Sequence, residues 1–185
     1  MSRQTFTAVD VADAPPASHT AVANTVTRTN LWAANLWTPI PALDMRPGKV
    51  YTLWAGGVIS TTGTPTIIFN PTFGQSATPA SNVALGASQT ITLGASLSGV
   101  SWTAEFRLAV RSLGVAASGA TITGNGFVVV GGPSATASQL IAIGGSVPTT
   151  ADHTTAQGLL LDVTWGTASA SNTITAQWTL LKSEN

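Results

Sequence analysis

Residues 159–181 read LLLDVTWGTASASNTITAQWTLL. Two stretches of alternating side chains flank a small polar turn, GTASASN (166–172), so the segment predicts strand, turn and strand. In the first stretch Leu159, Leu161, Val163 and Trp165 alternate with Gly158, Leu160, Asp162 and Thr164. In the second, Ile174, Ala176, Trp178 and Leu180 alternate with Thr173, Thr175, Gln177 and Thr179. Successive strand side chains point to opposite faces, so the first set of each strand is expected in a core and the second at a sheet surface.

The same period recurs upstream. SWTAEFRLAVRSLG (101–114) alternates most cleanly, with Trp102, Ala104, Phe106, Leu108 and Val110 on one face. KVYTLWAGGVIS (49–60), which follows the RPG turn (46–48), is a strand whose Gly-Gly pair signals a bulge or bend. TPTIIF (64–69) is expected to close in an Asn-Pro turn at NPTFG, and SQTITLG (88–94) to form a further short strand. ATITGNGFVVVGG (120–132) reads as a strand broken at GNG, and SQLIAIGG (138–145) as another. In RTNLWAANLWTPIPAL (28–43) the spacing of Trp32 and Trp37 suits neither a helix face nor strict alternation, and predicts an edge strand or an ordered lead-in. Residues 1–27 lack periodicity and carry DAPPAS (13–18), the pattern of an extended N-terminal arm. The expectation is an arm over 1–27 and one all-β domain over 28–185, an antiparallel β-sandwich of jelly-roll type with about eight strands. An immunoglobulin-like sandwich is the alternative, but it lacks its Cys-Trp-Cys hallmark in this cysteine-free chain.

Charged residues make up 8% of the 185, against roughly 25% in an ordinary soluble domain. Seven Lys and Arg balance seven Asp and Glu, and the basic residues form no stripe that could neutralise phosphates. Nucleic acid is therefore not an expected partner. Thiol chemistry, disulfides and zinc–thiolate sites fall away with cysteine. No apolar run reaches signal-peptide or membrane-span length, so neither a membrane partner nor cleaved export is expected.

Catalytic motifs are missing from the pattern: no G-x-S-x-G, P-loop or H-E-x-x-H occurs. Asp152-His153, with Asp162, could sketch a metal site, but a solvated loop before a strand is the expected role. Glu105 and Asp162 could meet as a glycosidase pair, yet Glu105 shares its face with Arg107 and Arg111, which suits an ion pair. No enzyme, cofactor or metal is expected. Of the six tryptophans, Trp102, Trp165 and Trp178 fall on core faces. Trp32, Trp37 and Trp54, with the face formed by Thr173, Thr175, Gln177 and Thr179, are candidate subunit-interface residues.

GTPTIIFNPTFG (63–74) and DHTTAQGLLLDVTWGTASASNTITAQWTLL (152–181) resemble small jelly-roll virion proteins of tailed bacteriophages, over roughly residues 45–182. What the resemblance implies is a structural capsid decoration (cement) protein on the outer surface of the phage head. It would be made in the host cytoplasm, bind the major capsid protein and itself, as a homotrimer, and stabilise capsid contacts. Residues of the arm, among them Arg3, Phe6, Val9, Val11, Pro15 and Pro16, are then the candidate capsid contacts. A tail or fibre component with a receptor- or glycan-binding jelly roll is the alternative, marked by an exposed aromatic cleft beside Asn, Asp or Gln. A carbohydrate-binding module without a virion role is a third.

Overall fold

The computed structural model describes residues 19–32, 39–76, 78–114, 119–131 and 139–184. Within them the strands are β1 (Val22–Ala23), β2 (Thr29–Asn30), β3 (Pro39–Ile40), β4 (Val50–Ser60), β5 (Thr66–Gly74), β6 (Val83–Ala84), β7 (Ile91–Thr92), β8 (Val100–Ser112), β9 (Ala120–Val130), β10 (Gln139–Ala151), β11 (Gln157–Trp165) and β12 (Thr173–Glu184). The sole helical turn among the described residues is the 3₁₀ segment Pro79–Ser81. Sheet A has the order β1-β12-β4-β8-β9-β10; sheet B has β2-β11-β5-β6, with β3 also on β11 and β7 also on β5. All of these pairings are antiparallel.

The chain is an all-β sandwich whose ends wrap in the jelly-roll manner. β4 passes to β5 in the opposite sheet, β11 passes back to β12, and the two ribbons lie side by side as β4–β12 and β5–β11. Between them β8, β9 and β10 run as a meander within sheet A instead of crossing between sheets. The inward side chains follow the period-two pattern: Trp102, Ala104, Phe106, Leu108 and Val110 of β8 are all buried. The Phe69 ring of sheet B meets the Trp102 ring of sheet A at 5.7 Å, joining the two layers. Each ring of that size removes about 150–250 Å² from water, several kcal/mol of hydrophobic stabilisation at ~25 cal/mol per Å².

Several local expectations give way to tertiary structure. β5 does not turn at Asn70-Pro71 but runs through to Gly74. The Pro71 carbonyl accepts from the Leu85 N–H, so the edge on which proline lacks a donor faces residues 85–88 and not β11. β9 is likewise unbroken at GNG. A Cβ on Gly124 would meet the Phe106 ring at 2.4 Å, and one on Gly126 would strike the Glu105 carbonyl, so these glycines serve close packing in mid-strand. The 88–94 stretch yields only the two residues of β7.

The N-terminal boundary also moves. His19 donates its N–H to the Ala176 carbonyl at 3.0 Å, β1 pairs with β12, and Trp165 Nε1 donates to the Val22 carbonyl. Residues 19–24 are therefore stitched to the sandwich, and the body begins well before Arg28. The rest of the expected arm, with Arg3, Phe6, Val9, Val11, Pro15 and Pro16, lies outside the described residues, as does Trp37.

Candidate functional site

The largest departure from simple alternation lies in β12. Its pairing with β4 slips by one residue between Ala176 and Trp178, a β-bulge with Gln177 as the extra residue. One extra residue exchanges the faces of everything that follows. Ile174 and Ala176 point inward as expected, but beyond the bulge Thr179 and Leu181 are the buried residues. Trp178, expected in the core, is 38% exposed on the outer face, and Leu180 is half-buried. Of the Thr-rich set, Thr173 and Thr175 are half-buried on the outer face, Gln177 is exposed at the bulge, and Thr179 is internal.

The Gly-Gly pair of β4 sits opposite this bulge. A Cβ on Gly57 would lie 1.9 Å from the Thr175 carbonyl oxygen, and one on Gly56 would lie 2.6 Å from the Trp178 ring. The pair therefore does mark a bulge, one carried by the partner strand, and Gly56 provides the seat for the Trp178 indole.

Strand registers set the outward side chains of sheet A into rows across β12, β4, β8, β9 and β10. One row runs Trp178, Gly56, Thr103, Val129, Leu140; the next runs Leu180, Trp54, Glu105, Phe127, Ala142. A third runs Lys182, Thr52, Arg107, Asn125, Gly144, and a fourth Glu184, Val50, Ala109, Thr123. The first two rows carry the apolar exposure: Trp178 on β12 is 38%, Phe127 on β9 37% and Leu140 on β10 71% accessible.

Over the second to fourth rows the sheet is concave. A trough of about 860 Å³ is lined by Glu105, Arg107, Asn125 and Phe127 among small residues such as Ala109, Ala142 and Gly144, with Glu184 at one end. The Glu105 carboxylate is gripped on both oxygens: Trp54 Nε1 donates to Oε2 at 3.0 Å and Arg107 Nε to Oε1 at 2.8 Å. Lys182 Nζ donates to Glu184 Oε1 at 2.6 Å and holds that carboxyl below its ordinary range. Both acids thus carry their own counter-charges. The expected ion pair at Glu105 is present, formed with Arg107.

The outer face of sheet B contrasts with this. Leu160, Asp162 and Thr72 all point outward there, yet all are buried. Arg28 reaches over this face, with Nε 3.8 Å from Asp162 Oδ2 and Nη2 donating to the Pro79 carbonyl. Thr72 Oγ1 donates to Asp162 Oδ2 at 3.1 Å, while Asp162 Oδ1 accepts no hydrogen bond among the described residues. Burial pushes the Asp162 carboxyl up to about 6, against the opposing pull of the Thr72 hydroxyl and Arg28. Glu105 and Asp162 stand on opposite outer faces, separated by both sheets, so they form no catalytic pair.

Asp152 serves its own loop: it accepts from the Thr154 N–H and hydroxyl and from the Thr155 hydroxyl, which lowers its pKa. No group of three His, Asp or Glu placed to hold a metal exists among the described residues. Trp32, a candidate interface residue, is 4% exposed and tilted against the His19 ring at 6.3 Å. Trp54 is half-buried on the outer face of sheet A. Sequence reasoning missed Phe127 and Asn125. Phe127 shares an alternation with Val129, and only the neighbouring GNG, with its missing side chains, hinted at a hollow.

No family model matches this chain, and no curated protein or solved structure does either. No helix among the described residues is long and apolar enough to cross a membrane.

Proposed function

We propose that this chain is a non-enzymatic structural protein of a tailed-phage virion, a capsid decoration protein that binds the major capsid protein on the outer surface of the head. The observation that carries this reading is the root of the N-terminal segment. Residues 19–23 are held by the His19–Ala176 hydrogen bond, by the β1–β12 pairing and by Trp165 Nε1 on the Val22 carbonyl. A segment that clamps neighbouring capsid subunits transmits load only if its base is fixed to the folded body, and this base is fixed at three points. Residues 1–18 are then the capsid contact. The low charge of the chain, 8%, suits lasting contact between copies in a trimer.

Removing residues 1–18 and adding the truncated protein to particles that lack it tests this reading. The body is expected to keep its melting temperature while its occupancy on the head, counted in cryo-electron microscopy reconstructions, falls sharply. Full occupancy without residues 1–18 would overturn the arm contact, and density confined to the tail would overturn decoration. A tail or fibre component that binds glycan is the second reading. The outer-face trough, with Phe127 beside Asn125 and Glu105, is what favours it.

A further inference from the structure

We infer that the trough on the outer face of sheet A is a binding site for a neutral saccharide, with Phe127 against the apolar face of a sugar ring and Glu105, Arg107 and Asn125 on its hydroxyls. This goes beyond the virion reading and holds whichever part of the particle carries the chain.

Three features point to this ligand class. The first is charge. Glu105 is paired with Arg107, and Glu184 at one end with Lys182 beside the trough, so each carboxylate already has a counter-charge and none is left over to attract a free ion. The second is the kind of hydrogen-bonding group on offer. Glu105 is fixed on both oxygens before any ligand arrives, a carboxylate keeps about four lone-pair sites, and the Arg107 guanidinium has N–H donors beyond Nε. With the exposed Asn125 amide one strand away, donors and acceptors sit side by side, as vicinal hydroxyls require. Because Trp54 and Arg107 lock the carboxylate in advance, little ordering is left for binding to impose.

The third feature is shape. Phe127 is 37% exposed and lines the hollow, next to Ala142 across the ladder and facing Glu105 on the other side. A half-exposed ring beside polar groups matches a pyranose, which has C–H groups on one face and hydroxyls at its rim. The volume of about 860 Å³ lies within the range of small-molecule sites, and small residues along the floor let a ligand approach the sheet closely. Trp178 lies outside this set, in the row beyond Trp54, and serves as an internal control.

The full chain would be screened on an array of neutral oligosaccharides of hexoses and N-acetylhexosamines, with sialylated and sulfated sets alongside, and hits measured by titration calorimetry. Binding is expected among the neutral sugars. Phe127→Ala and Asn125→Ala should each weaken it at least tenfold with unchanged circular dichroism and melting temperature, and Trp178→Ala should leave it within about threefold. Should Phe127→Ala fail to fold, Asn125→Ala, on an exposed side chain, carries the test with Arg107→Lys. No binding of any neutral sugar at millimolar concentration would overturn the site, as would binding to charged glycans only, or binding that survives both trough variants. Variants that alter sedimentation of the protein without altering sugar binding would assign the face to a protein contact and overturn the proposal. Head occupancy plays no part in these measurements, so this inference and the capsid reading fail independently.

Discussion

The two sheets expose their outer faces to very different fates. On sheet B the centre of the face is closed: Leu160, Thr72 and Asp162 are buried there, and Arg28 reaches across to Asp162 and is tied to the Pro79 carbonyl. On sheet A it is open, and the largest accessible apolar side chains there are Trp178, Phe127 and Leu140. Closing a face brings polar groups out of water, so it demands internal partners such as Thr72 for Asp162. An open face makes no such demand and can offer aromatic rings and paired charges to a ligand. That contrast puts a shielded polar network on one side of the sandwich and accessible aromatic and polar side chains on the other.

The comparison is most easily broken at its tryptophans. Trp165, 1% exposed with its indole N–H on the Val22 carbonyl, belongs to the closed interior. Trp165→Ala should cost about 3–5 kcal/mol in urea or guanidinium unfolding. A cost near 1 kcal/mol would remove the distinction between interior and outer-face rings.

Next comes Asp162. Its carboxyl titrates near 6 in the fold against 3.8 ordinarily, so between about pH 4 and pH 6 the folded state binds the extra proton. Stability from this group is therefore greatest below pH 4 and falls as pH rises through about 6, by about 3 kcal/mol in all. Asp162→Asn should remove that fall. The difference in unfolding free energy between variant and parent should grow across this window in favour of the variant and then level off. A flat difference would show that Asp162 is not shielded from water, and the closed face would not be closed.

Gly57→Ala tests the bulge that opens the other face. A methyl group there meets the Thr175 carbonyl, and the expected loss is about 1–3 kcal/mol. If the variant is as stable as its parent, the bulge yields easily and the position of Trp178 is not enforced. Smallest of all, Trp178→Ala should cost about 1 kcal/mol or less, the difference from Trp165→Ala being the direct measure of the two environments.

Much of the sandwich was legible from alternation. β8 reads in the sequence as it stands in the fold, because a strand with one buried face and long inward side chains leaves its period in the residues. The strand-turn-strand reading of 159–181 and the Glu105–Arg107 pair were legible too. β11 and β12 nevertheless lie in opposite sheets and do not pair with each other, and the bulge signalled by Gly56-Gly57 lies in β12 rather than in their own strand. The trough on the outer face of sheet A was not legible. It depends on Phe127 and Asn125 standing beside Glu105 and Arg107, which lie about 20 residues away along the chain and become neighbours only through the β8–β9 register.

By itself, then, the sequence determined an all-β chain of antiparallel strands with a sparse complement of charge, since side-chain period and composition are local properties. Tertiary structure alone decided that Trp178 faces out and Thr179 in, because a single extra residue reverses a period of two and its site is set by pairing with Gly56 and Gly57. It also decided that residues 19–24 belong to the body and that Asp162 is buried. Each depends on which distant backbone or side-chain group is available to pair, and no local pattern in the chain encodes that.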